Sequence, residues 1–143
     1  MVKMISKIVV CMIMMLGIVL SPSVLSYAST DGDGLISVDS VDGSKVIARL
    51  MISGTKADIV AKAKGVAGTS KISADIVLQV YEPATKKWNN VRTWEKTVKS
   101  STLSFEKDYT LYHSGTYRVK LVAKITKDGH TETITSYSSL KEH

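Results

Sequence analysis

Residues 115–138 have the sequence GTYRVKLVAKITKDGHTETITSYS, which contains the clearest strand and turn patterns of the chain. Every second side chain in its first half is apolar or aromatic: Tyr117, Val119, Leu121, Ala123 and Ile125. A period of two is typical of a β-strand with one buried and one solvated face. Asp128-Gly129 follows, and this dipeptide between two strand-like runs predicts a β-hairpin. Residues 131–138 are therefore predicted to form the returning strand.

The same alternation extends back to Lys45. It predicts strands near residues 46–52, 57–63 and 72–80, and weaker patterns around Trp94 and Phe105 predict two more. Pro83 ends the third strand because it cannot donate a ladder hydrogen bond. Helical spacing is hard to find. About seven short antiparallel strands in one domain, residues 45–143, predict an all-β fold and favour a two-sheet sandwich over a barrel.

Gly115-Thr116-Tyr117 stands at the start of the longest predicted strand. It resembles the Gly-x-Tyr that opens the sixth strand of immunoglobulin-like sandwiches, in which the tyrosine hydroxyl bonds back to the preceding corner. The resemblance implies an immunoglobulin-like sandwich with Tyr117 at this corner. His113 stands where antibody domains have an acid and Val119 where they have a cysteine, so the resemblance extends only to the corner and the strand.

The first segment has the pattern of a secretory signal peptide, residues 1–28. Lys3 and Lys7 precede an apolar run from Ile8 to Leu20, and the small residues of a peptidase site end at Ala28. As a helix the run would rise about 20 Å, less than the roughly 30 Å hydrocarbon core of a bilayer. We therefore expect cleavage after Ala28 and a secreted, extracellular protein.

Cys11 is the single cysteine, and it lies inside this apolar run. The mature chain is then cysteine-free, which excludes disulfides, thiolate metal sites and a cysteine nucleophile. Secretion without disulfides is typical of a Gram-positive bacterium. No later segment is long and apolar enough for a transmembrane helix, so we expect none in the mature chain.

Charge is unevenly distributed along the mature chain. Residues 29–44 contain four aspartates and no Lys or Arg, which predicts an acidic, flexible leader. From Lys45 onward there are 17 basic and 9 acidic residues, a net charge of +8. Such a basic body either is simply solvated or attracts anionic polymers or a protein partner. Nucleic acid is not an expected partner, because export removes the chain from the cytosol.

The sequence offers few parts for catalysis or metal binding. Asp31, Asp33 and Gly34 fit an EF-hand loop, but Ser29 and Ser40 occupy the positions of its first carboxylate and its bidentate glutamate. An Asp-Gly-rich leader is therefore favoured over a weak calcium site. Neither Gly-x-Ser-x-Gly nor His-Glu-x-x-His occurs. We expect no metal, no cofactor and no enzymatic activity.

Candidate binding residues come from the tryptophans and the final hairpin. Trp88 and Trp94 are an even number of residues apart and would share a face on an unbroken strand; Trp94 is favoured for the core and Trp88 for the surface. A two-residue Asp128-Gly129 loop places Lys120 opposite an outward Tyr137, whereas a three-residue bulged loop turns Tyr137 inward. With the first register, the candidate surface comprises Trp88, Arg118, Lys120, Lys124 and Tyr137.

Four segments are similar to a small family of secreted proteins of Gram-positive, clostridia-like bacteria that is known as a domain of unknown function: residues 91–94, 114–119, 129–132 and 136–138. This resemblance covers the C-terminal third to half of the chain and implies a secreted β-domain and no reaction. We predict a secreted, non-catalytic binding module that contacts anionic envelope polymers or a protein partner. The alternatives are an antibacterial or toxin-like protein acting at a competitor's envelope, and a hydrolase or its inhibitor.

Overall fold

The computed structural model describes residues 27–31, 35–40 and 42–143. Within them the chain forms strands and no helix, so none of the described segments is a helix that could cross a membrane. The strands are β1 (Tyr27–Asp31), β2 (Leu35–Asp39), β3 (Lys45–Ser53), β4 (Lys56–Lys64), β5 (Thr69–Glu82), β6 (Lys87–Val98), β7 (Thr102–Thr110), β8 (Thr116–Lys127), β9 (His130–Tyr137) and β10 (Lys141–Glu142).

The strands form two antiparallel sheets. Sheet I has the order β1-β2-β3-β4-β7, and sheet II has the order β10-β8-β5-β6, with β9 also paired to β8. Strands β3 to β9 therefore divide as β3-β4-β7 and β9-β8-β5-β6. In immunoglobulin-like domains the second and fifth strands pair in one sheet, and the third and sixth pair in the other. The predicted immunoglobulin-like sandwich is confirmed, and β1, β2 and β10 add to its about seven strands.

The core lies between the two sheets and follows the alternation of the sequence. Strand β4 buries Ala57, Ile59, Ala61 and Ala63, and strand β8 buries the five residues predicted for its inner face. The ring of Trp94 packs 5.9 Å from that of Phe105 and 6.0 Å from that of Tyr109, both on β7 of the opposite sheet. Trp94 therefore faces the core, as predicted, and packs against it as a partly buried residue.

A β-bulge separates the two tryptophans. The β5–β6 register pairs Leu78 with Arg92 but Gln79 with Asn90, so Val91 between them has no direct partner. The extra residue shifts the alternation by one position. Trp94 therefore lies opposite Ile76, whereas Trp88 lies opposite Tyr81 on the outer surface. The shared face expected for an unbroken strand is absent because β6 is interrupted.

The turn of the final hairpin selects the first of the two predicted registers. Lys127 pairs with His130 and Lys120 with Tyr137, which leaves a two-residue loop of Asp128 and Gly129. Both loop residues have positive φ, 49° and 77°, as a type I′ turn requires. Tyr137 therefore points outward, with 36% of its surface exposed.

The segment expected to be a flexible leader forms part of sheet I where it is described. Strand β1 pairs with β2, and β2 pairs with β3 from Ile36↔Ala48 to Asp39↔Lys45. Val38 is 6% exposed and belongs to the core, so burial of its side chain stabilises β2 against the rest of sheet I. Most of the predicted signal peptide, and residues 32–34 of the EF-hand-like motif, lie outside the described residues.

The predicted tyrosine corner is confirmed. Tyr117 is 3% exposed, and its hydroxyl donates a hydrogen bond of 2.7 Å to the carbonyl oxygen of His113. Burial raises the pKa of Tyr117, so its hydroxyl remains a donor well above neutral pH. The bond joins the start of β8 to the loop that crosses over from β7.

We predict that Tyr117→Phe lowers the free energy of unfolding by about 1 kcal/mol, because it removes the bond and leaves the His113 carbonyl without its partner. Urea denaturation measures this change. Tyr112→Phe is the control, since Tyr112 is 78% exposed. Equal effects of the two substitutions would contradict a structural role for the corner.

Glu132 gives a second prediction. It is half-buried on β9, and burial, followed by the charge of Asp42, raises its pKa above the ordinary 4.5, although a hydrogen bond from Ser40 opposes the rise. The folded state thus binds this proton more tightly than the unfolded chain. The stabilisation is complete below pH 4.5 and is lost as the pH rises through the folded-state pKa.

Glu132→Gln should therefore be more stable than the parent protein at pH 7 and equally stable near the acid limit. Urea midpoints measured across this pH range test the prediction. Glu106→Gln, at an exposed position of β7, is the matched control. A parent protein whose stability rises with pH relative to Glu132→Gln would reverse the assigned sign.

Candidate functional site

The outer face of sheet II brings three of the predicted residues into contact. The guanidinium carbon of Arg118 lies 3.9 Å from the centre of the Trp88 ring and 4.4 Å from the centre of the Tyr137 ring. The side chains come from β8, β6 and β9. We call Trp88, Arg118 and Tyr137 the ring–guanidinium cluster. Both distances are within the range of cation–π interactions.

Gln79 orients the arginine across the sheet. The Nε of Arg118 donates to Oε1 of Gln79 at 2.9 Å, and Nε2 of Gln79 donates to Oδ1 of Asn90, also at 2.9 Å. The register explains the chain of bonds, since Arg118, Gln79 and Asn90 lie opposite one another on β8, β5 and β6. Gln79 is 7% exposed, so this connection is largely shielded from water.

A second ring extends the cluster. The Tyr81 ring lies 5.3 Å from the Trp88 ring at an interplanar angle of 53°. The two residues are direct partners in the β5–β6 register, and aromatic cross-strand pairs of this kind stabilise a sheet. Trp88 is therefore held between Tyr81 and the guanidinium of Arg118.

Arg118 remains available to an anion. Burial beneath the rings lowers its pKa, and Tyr137 opposes this shift, but a guanidinium stays protonated at neutral pH. Its Nε is bonded to Gln79, and no hydrogen bond or ion pair joins its two terminal nitrogens to another described residue. Two parallel N–H groups held in one plane match the oxygens of a phosphate or a carboxylate.

Lys120 and Lys124 share the outer face of β8 but do not belong to the cluster. Lys120 lies opposite Val77 and Tyr137, and Lys124 lies two rows nearer the hairpin turn. Between their rows, Asp75 pairs with Val122 on one side and with Glu95 on the other. These lysines therefore have acidic neighbours on β5 and β6, whereas the residues opposite Arg118 in its own row, Gln79 and Asn90, are uncharged.

Sequence reasoning missed three residues that complete the cluster: Gln79, Tyr81 and Asn90. The alternation of β5 already places Gln79 on the outer face, and it continues to Tyr81 two positions later. Nothing in the sequence alone pairs Gln79 with Arg118, because the two are 39 residues apart.

A cavity lies beside the cluster, at the end of the sandwich where the β7–β8 loop meets the β5–β6 turn. Its volume is about 540 Å³, and its lining includes Tyr81, Glu82, Tyr109, Tyr112 and His113. Tyr81 thus contacts both the cluster and the cavity. Among the described residues, no group of three or more His, Cys, Asp or Glu is placed to hold a metal ion.

We predict a coupling energy of about 1 kcal/mol between Arg118 and Trp88, because their contact is partly shielded from solvent. A double-mutant cycle with Arg118→Met and Trp88→Leu measures it from unfolding free energies. Arg49→Met with Trp88→Leu is the control cycle, since Arg49 lies on β3 of the other sheet. Additive effects in the first cycle would mean that the stacked geometry adds nothing to stability.

Comparison of the chain with protein-family models, with curated proteins and with solved structures gives no match. The resemblance to a secreted clostridia-like family therefore stays a prediction from the sequence.

Proposed function

We propose that the protein is a secreted, non-catalytic binding module that recognises anionic polymers of a Gram-positive cell envelope through the ring–guanidinium cluster. The observation that supports this most directly is the state of Arg118. Its side chain is fixed by two rings and by Gln79, while its terminal nitrogens are unpaired among the described residues. The lysines of β8 extend the positive surface beside it.

A preoriented guanidinium is well suited to a repeating anionic ligand. Fixing a long side chain before binding reduces the conformational entropy that is lost on association. The planar fork gives two charge-assisted hydrogen bonds to one phosphate or carboxylate group. Tyr137 and Trp88 add apolar surface for the carbon portion of the repeat unit. Lys120 and Lys124 increase attraction at low ionic strength.

An acidic protein partner would offer the same chemistry through Asp and Glu side chains, so the test must include a defined polymer. The predicted signal peptide supports an extracellular ligand, because an exported chain meets the cell wall first. Envelope polymers repeat one kind of anionic group many times, so a single preoriented guanidinium can recognise any repeat unit of the chain.

Binding to isolated Gram-positive cell walls, measured by sedimentation over a range of salt concentrations, tests this function. We expect Arg118→Gln to weaken binding about tenfold at low salt, since it removes a charge-assisted bidentate contact. Trp88→Leu should weaken binding as well, because the guanidinium loses one supporting ring.

Lys107→Gln is the matched control, as it removes one positive charge from the exposed edge strand β7. Equal losses for Arg118→Gln and Lys107→Gln would refute recognition by the cluster and indicate attraction by net charge. Leakage of dye from intact target cells without retention on walls would favour the antibacterial alternative. Retention on protein-coated beads but not on purified wall polymer would favour a protein partner.

A further inference from the structure

The outer face of sheet I has its own concentration of positive charge. Lys45 and Lys64 are direct partners in the β3–β4 register, and Lys62 lies in the next outward row, opposite Ile47. We call Lys45, Lys62 and Lys64, together with the depression between them, the lysine groove. It lies on the opposite side of the sandwich from the ring–guanidinium cluster.

The register places like charges side by side. Direct cross-strand partners have Cβ atoms about 5 Å apart, and like charges at this distance destabilise a sheet. Among the described residues the salt bridge at this end of sheet I is Lys45 to Asp39, at 4.0 Å, the limit for an ion pair. Lys62 and Lys64 are exposed and have no ion pair there. An anion in the groove would relieve this repulsion.

The groove is concave, and its lining combines two kinds of surface. Its volume is about 480 Å³, with Ile47, Ala63 and Leu103 contributing apolar atoms and Thr102 and Ser104 lying beside the lysines. The lining therefore places the lysine ammonium groups beside side-chain hydroxyls and apolar surface.

We propose that the lysine groove binds a linear polymer in which phosphodiester groups alternate with short polyol segments. Outward rows of a strand are about 7 Å apart, which is comparable to the spacing of neighbouring phosphates along a glycerol phosphate chain. Successive phosphates meet successive rows of lysines, and the intervening carbon atoms lie over the half-buried side chain of Ile47. Each ammonium group replaces a bound counterion of the polymer.

The rest of this face disfavours a flat anionic membrane. Asp58 and Asp108 are direct partners in the β4–β7 register and flank Lys56, with its Nζ at 3.1 Å and 3.0 Å from their oxygens. Glu106 lies one row nearer the groove. A bilayer would have to approach these carboxylates, whereas a single chain contacts the basic end alone.

Two anion sites on opposite faces allow one domain to bridge two chains, a consequence that rests on the proposed function of the cluster. The outer faces of a sandwich point in opposite directions, and the sheets are about 10 Å apart. One polymer therefore cannot occupy both sites without wrapping around an edge. Bridged chains would form a network, and each domain would act as a cross-link.

Short poly(glycerol phosphate) chains are the probe for the test. Calorimetry should give a stoichiometry of two polymer chains per intact protein. In NMR spectra, the amide signals of Lys62 and Lys64 should shift for the groove site, and the signals of the Arg118 amide and the Trp88 indole should shift for the cluster site. Lys62→Gln/Lys64→Gln should lose the groove site, with at least about tenfold weaker binding there, and retain the cluster site. The variant should remain folded, because substitution removes the like-charge contact with Lys45.

Lys86→Gln/Lys107→Gln removes two charges elsewhere and is the matched control. An equal loss in this control, or no shifts at the groove in the intact protein, would overturn the groove proposal. Shifts at the groove without shifts at Arg118 would instead overturn the proposed function and leave the groove standing. Binding to phosphatidylglycerol vesicles but not to the polymer would overturn the proposed polymer ligand and identify a membrane surface as the ligand of the groove.

Light scattering tests the bridging itself. With long polymer, scattering should pass through a maximum as protein is added, because excess protein saturates each chain separately. Arg118→Gln and Lys62→Gln/Lys64→Gln should each abolish the maximum while still binding. A maximum that survives in both variants would exclude bridging through these two sites.

Discussion

Strand β8 pairs on both sides, with β5 along one edge and with β9 and β10 along the other, so its register positions three other strands of sheet II. Its inner side chains, among them Val119 and Leu121, are fully buried. A slip of one residue would exchange these with Arg118 and Lys120, which would place charges in the core. Burial of the apolar side chains therefore sets the register of β8. This register in turn determines which side chains lie beside one another across sheet II.

One β-bulge and one tight turn produce the candidate site. The bulge at Val91 turns Trp88 outward while Trp94 remains in the core, and the Asp128-Gly129 turn sets the register that turns Tyr137 outward. Arg118 lies between them on an uninterrupted strand. Without the bulge, Trp88 would face the side of the sheet that Trp94 occupies, and the guanidinium would have one ring instead of two. Irregularities near functional surfaces commonly redirect side chains in this way.

The two outer faces of the sandwich place their charges differently. On sheet II, Arg118 is held by Gln79 and by rings, and acidic residues at Asp75 and Glu95 accompany the lysines further along. On sheet I, acids pair with Lys56 at one end, whereas Lys62 and Lys64 at the other end have no such partners among the described residues. Net charge alone cannot distinguish these arrangements, because it counts residues without their neighbours.

Local patterns were enough to predict the seven strands from β3 to β9, the inner faces of β4, β5 and β8, the corner at Tyr117 and the position of the final turn, because alternation, Pro83 and Asp128-Gly129 act over a few residues. Long-range pairing decided which strands are neighbours, the bulge at Val91, the register of the final hairpin, the inclusion of β2 in sheet I and the contact of Gln79 with Arg118. These features depend on contacts between residues that are far apart in the sequence. Such contacts contribute free energy only when the two strands are paired in one register. The placement of Lys45 directly opposite Lys64 also results from strand pairing. In the sequence, each of these lysines looks like an ordinary solvated residue.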